Sequence, residues 1–175
     1  MTTATAIKPN ARLKTPTDLG ANAFKDLAVD LNAVLADSFA LYLKTKNFHW
    51  HVSGPHFRDY HLMFDEQAAE ILASTDELAE RVRKIGGNTL RSIGDISRQQ
   101  TLDDNDKPYV SPDDMLNELH ADTMATIKAM RAAHKKCDEH EDIGTASLLE
   151  NFIDQAEKRA WFLFETARKG ASSGH

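Results

Sequence analysis

The sequence has one cysteine, Cys137, five prolines and no long apolar run. A single cysteine excludes an internal disulfide and suits a reducing compartment. No stretch approaches the roughly 20 apolar residues that span a membrane. The opening MTTATAIKPN also lacks the apolar core of a secretory signal. The expectation is therefore a cytoplasmic protein. Scarce proline, glycines mostly near apparent element ends, and abundant Ala, Leu, Glu, Asp and Lys favour helix. A net charge of −6 argues against the body as a nucleic-acid binder. The charge is uneven, however. Lys8, Arg12 and Lys14 precede the first acid, Asp18, so residues 1–20 read as a mobile basic tail. At 175 residues the chain fits one domain, long enough to bury about 70% of its unfolded surface.

Apolar spacing of three to four predicts four long helices. The first runs from about Ala23 to His51, with Phe24, Leu27, Leu31, Leu35, Phe39 and Tyr42 as its stripe and Asn22 as its cap. Ser53-Gly54-Pro55 breaks it. The second runs from about Phe57 to Ile85 over Phe57, Tyr60, Phe64, Ala68, Ile71, Leu78 and Val82, and Gly86-Gly87 stops it. The third opens with Ser111-Pro112-Asp113-Asp114, a cap, a proline at the first helical position and acids for the dipole. Its stripe is Leu116, Leu119, Ile127 and Met130, with His134, Lys135 and Lys136 in the last turn. The fourth runs from about Asp142 to Lys169 over Leu149, Phe152, Ala156, Ala160, Leu163 and Ala167. Two connections are short, so each pair is antiparallel. The connection from Gly86 to Val110 is long enough to cross the bundle, and Leu90 to Gln99 within it could form a short helix. The fold class is all-α: a ferritin-like four-helix bundle over residues 21–170 with one long crossover, then a short C-terminal tail, 171–175.

On the second helix His61 and Asp65 are four apart, as are Asp76 and Glu80. Each pair shares a face. Eleven residues separate Asp65 from Asp76, three turns and about 16 Å of rise. Metal–ligand bonds of about 2.0–2.2 Å cannot span that gap. Two antiparallel copies of the helix, crossing near Glu70 and Ile71, would set one pair against the other and make two equal sites per dimer. His49 would complete the His61 and Asp65 half. Two imidazoles and three carboxylates suit redox-active iron better than a thiolate zinc site does. For any one of these residues, a solvated helix face is the plainer reading, and the coherent set is what points to metal. No Glu is followed three residues later by His, which weakens an internal di-iron centre.

The stretch Lys46-Asn47-Phe48-His49-Trp50-His51-Val52-Ser53-Gly54, then His61-x3-Asp65 and Asp76-x3-Glu80-Arg81, resembles the Dps family of mini-ferritins. The resemblance covers about residues 23–170 and extends to Trp161-Phe162 and the crossover. It implies a hollow dodecamer whose inter-subunit sites oxidise iron(II), preferably with hydrogen peroxide, and store ferric mineral: a ferroxidase that protects DNA. It assigns His49, His61 and Asp65 to one subunit and Asp76 and Glu80 to its neighbour. Trp50 is then a candidate catalytic electron donor, set against a packed aromatic at a helix end. Many members bind DNA without sequence preference, but members differ in their tails, so the resemblance leaves open whether this chain binds DNA through its basic tail and associates with the nucleoid. A nucleoid-compacting protein with an incidental metal site is the alternative.

Other candidates divide between chemistry and scaffold. His51 and His56 read as supporting or surface groups, and His120, His134 and His140 as surface. Asp138, Glu139, Glu141 and Asp142 read either as a polar turn capping the last helix or as an acidic pore. Cys137 reads as a small packed or surface residue.

Overall fold

A computed structural model describes residues 7, 10–20 and 22–168, so Lys8 and the C-terminal tail lie outside the described residues. Every regular element among the described residues is helical. A 3-10 turn, Ala11–Leu13, precedes α1 (Ala23–His51), α2 (Phe57–Lys84), α3 (Ile93–Gln99), α4 (Pro112–Glu139) and α5 (Ile143–Ala167). None is long and apolar enough to cross a membrane.

The helix ends follow local chemistry. Ser111, extended at φ −67° and ψ 151°, accepts the Asp114 N–H, with Pro112 in the first turn. Ser92 caps the short α3 in the same way. Asp142 caps α5 through the Thr145 N–H at 3.0 Å. Asn22 does not cap α1. Its backbone is already helical, at φ −87° and ψ −28°, and its side chain makes no capping hydrogen bond. The α4 helix continues past Lys136 to Glu139, and α5 ends at Ala167 with Arg168 extended.

α1 and α2 form one antiparallel hairpin, and α4 and α5 the other. The crossover between α2 and α4 runs the length of the bundle and lays α3 against α1. It is fastened midway. The buried Asp37 carboxylate of α1 accepts the Thr101 N–H at 2.5 Å, its hydroxyl at 2.8 Å and the Leu102 N–H at 3.1 Å. Near the far end Lys44 pairs with Asp122 at 2.7 Å and Glu118 at 2.9 Å. The result is a ferritin-like four-helix bundle.

The buried side chains gather in two groups. One contains Leu27, Leu31, Leu78, Val82, Ile127 and Leu149. The other contains Leu41, Phe48, Phe64, Ile71, Leu119 and Leu163, beneath the α1–α2 turn. Phe57, expected in the stripe, is exposed, and its ring centroid lies 5.0 Å from that of His61. Before α1, residues 10–20 run back along the end of α2, where Arg83 binds the Leu13 carbonyl.

Candidate metal centre at the α1–α2 turn

The α1–α2 turn sets the last turn of one helix beside the first turn of the next. Gly54 makes the reversal at φ 109°, a conformation that side chains rarely adopt. His49 and His61 are thereby stacked, with ring centroids 3.8 Å apart. Nδ1 of His49 donates to the His61 carbonyl at 2.7 Å, and Nδ1 of His61 donates to the His49 carbonyl at 2.8 Å. A carbonyl oxygen only accepts, so each Nδ1 carries a proton. In the neutral ring, Nε2 is then left with its lone pair. Histidines that bind metals are oriented in this way, by donating their other N–H to a carbonyl or carboxylate.

Asp65, one turn after His61, brings Oδ1 to 3.9 Å from Nε2 of His49. Two bonds of about 2.1 Å to one ion span up to about 4.2 Å, so these two groups can share a cation. Here Lys46 Nζ donates to Asp65 Oδ1 at 2.5 Å. That hydrogen bond holds the exposed Asp65 carboxyl below the usual carboxylate range, aided by the charge of Lys46. Asp65 thus already binds one cation. The same Nζ sits 5.9 Å from the ring centroid of Trp50, which is exposed.

Asp76 and Glu80 are both exposed on α2. Glu80 pairs with Lys84 at 3.0 Å. They lie three turns beyond Asp65, and among the described residues no single-chain cluster of three or more His, Cys, Asp or Glu converges on one point. The structure sets His49 beside His61 and beside Asp65, short of a closed three-ligand cluster, and leaves Asp76 and Glu80 apart from them. The outer face of α2 between the two pairs carries Ala69, Leu72 and Ala73, all exposed. At the level of Glu70 and Ile71 these side chains face outward, while Ile71 is core.

Sequence reasoning missed Lys46. Its only signal is the spacing of three to His49 and four to Trp50 on one helix. The remaining candidates take scaffold roles. His51 Nδ1 donates to the Asn47 carbonyl at 2.8 Å, and the His56 ring lies 5.6 Å from Tyr60. The His120 ring lies 5.9 Å from Phe164. His134 meets Glu150 at 3.0 Å and His140 meets Asp26 at 3.1 Å, each on a neighbouring helix. Asp142 is a buried cap that also pairs with Arg81. Cys137 is buried, and burial pushes its thiol up to about 12.

The ferritin-like domain family matches residues 29–171. DNA protection during starvation protein 1 of Deinococcus radiodurans is 34% identical over 140 residues, 80% of this chain and 68% of that protein. DNA protection during starvation protein of Brevibacillus brevis is 31% identical over 137 residues, 78% of this chain and 91% of that protein. A solved structure of Dps from Thermosynechococcus elongatus superposes with a TM-score of 0.83 at 30% identity, covering 88% of this chain and 98% of that one.

Proposed function

Because this chain belongs to the Dps family of ferritin-like proteins, we propose that it is a ferroxidase whose iron site is completed only between two subunits. His49, His61 and Asp65 supply one half, and the partner subunit's Asp76 and Glu80 supply the other. The observation that carries this is the reciprocal lock of the two imidazoles, which leaves Nε2 of His49 3.9 Å from Asp65. An orientation set by two backbone carbonyls costs little reorganisation when a cation arrives.

Iron is the substrate. Imidazoles favour iron(II), and the carboxylates favour the iron(III) product. For each hydrogen peroxide reduced to two waters, two iron(II) ions give up one electron each and two protons are consumed. That stoichiometry removes both reagents of hydroxyl-radical chemistry. Lys46 must release Asp65 when iron binds, and Trp50 beside it is placed to supply an electron to an over-oxidised site. The ferric product is stored inside a shell of twelve subunits.

The test is anaerobic addition of iron(II) and hydrogen peroxide to the metal-free protein, followed by ferric absorbance and radical trapping. We expect rapid oxidation with little hydroxyl radical. A rate equal to that in buffer would sink the proposal. Sharing between subunits is tested by co-assembling Asp76→Ala and His61→Ala chains. Each is inactive alone, and the mixture should regain about a quarter of the sites, because one combination of half-sites in four is intact. No recovery would argue against a site shared between subunits.

The two curated relatives are named for DNA protection during starvation. This chain would protect DNA by consuming iron and peroxide, and by contact through its basic tail, of which Arg12 and Lys14 are exposed.

A further inference from the structure

The two apolar groups of the core do not meet as one. Between them, at mid-height of the bundle, lies a cavity of ≈ 20 Å³ whose polar lining comes from all four long helices. Ser38 comes from α1, Ser74 from α2, Thr126 from α4, and Gln155 and Arg159 from α5.

Apart from Gln155, which is exposed, the hydrogen-bonding character of this lining is lopsided. Ser38 Oγ donates to the Val34 carbonyl at 2.8 Å, Ser74 Oγ to the Ile71 carbonyl at 2.7 Å, and Thr126 Oγ1 to the Asp122 carbonyl at 3.0 Å. Each hydroxyl has spent its proton on its own helix and offers only lone pairs to a guest. Arg159 is the reverse. It is 8% exposed, and its Nε has no hydrogen-bond partner. Its guanidinium reaches Glu70 only at 3.4 Å. A buried N–H left unpaired is unfavourable enough that native proteins rarely keep one without water.

We infer that this cavity is a binding site for one ordered water molecule, which accepts the Arg159 Nε–H and donates to two of the three hydroxyl oxygens. Size and chemistry both decide the guest. A water needs about 10–15 Å³ of such volume and two to four polar partners. The cavity provides room for one water. A halide would face three lone pairs, and a metal cation would face the guanidinium. The site also has a structural purpose. α2 and α5 are the adjacent long helices that touch least, and the water joins Ser74 to Arg159 across that seam.

The experiment is a high-resolution crystal structure of the full chain grown with bromide in place of chloride. We expect one density peak within hydrogen-bond distance of Arg159 Nε and two hydroxyl oxygens, with no anomalous bromine signal. A bromine signal there, or no peak, overturns the assignment. In Arg159→Met the peak should be lost, whereas in Lys158→Met, at an exposed neighbour, it should remain. A full peak in Arg159→Met would show that Arg159 does not anchor it. If Arg159→Met fails to fold, the unmodified chain still decides.

Discussion

His49 and His61 are each held by the backbone of the other, so the aim of both rings is set by how the α1–α2 turn closes. The spacing of His61, Asp65, Asp76 and Glu80 was legible because helical periodicity places side chains on faces. The reciprocal lock was not legible, because it joins a side chain to a carbonyl twelve residues away. Lys46 was hidden for a related reason: its partner Asp65 lies on another helix. At this scale Cys137 gives a prediction. Its thiol, pushed up to about 12, should resist a thiol-modifying disulfide reagent at pH 8 and react fully once the chain is denatured. Because the folded value is raised, the stability that Cys137 contributes is complete below the unfolded value, about 9, and is lost as pH rises toward 12. Denaturant titrations between those limits should show a steeper loss for the native chain than for Cys137→Ala.

Elements are joined by a few buried charges. Asp142 caps α5 and pairs with Arg81 of α2, whose Nε also donates to Thr145 at 2.6 Å. Asp142→Ala removes the cap and strands the arginine. The expected loss is about 2–4 kcal/mol, read as a lower unfolding midpoint, with Asp142→Asn losing less. Gly144 lies against the same guanidinium, and a Cβ there would come within 2.9 Å of it. The acidic quartet could be read from the sequence as a cap or as a pore. The packing of Arg81 against Asp142 makes that residue a cap. Ser111 was legible because its proline and acids repeat the cap signal. Asn22 was misread because residue type alone does not report its helical backbone.

In the proposed assembly the outer face of α2 is where two copies meet. Leu72 is 40% exposed there, between Asp65 and Asp76. If that face meets its copy, Leu72→Arg should stop pairing and iron oxidation together while the helical circular dichroism of the chain persists. Ultracentrifugation and ferric absorbance would check this, and full oxidation by a dissociated variant would refute it. In the proposed shell the tail would act at this scale too, since twelve weak contacts on one assembly would reinforce each other. A chain lacking residues 1–16 should retard DNA less than the full chain at low salt. The difference should shrink as salt rises. Equal retardation would remove the tail from DNA binding.

The helices, the antiparallel pairs and the single long crossover were legible in residue order, because periodicity, caps and connection lengths act over short stretches of chain. Residue order also determined that Asp65 and Asp76 are too distant to share an ion, because helical rise is independent of context. Packing settled which nitrogen of each histidine is left to a ligand, that Lys46 holds Asp65, and that a polar cavity lies between the two apolar groups. Those features depend on atoms from separate helices meeting at hydrogen-bond distance, which no local pattern encodes.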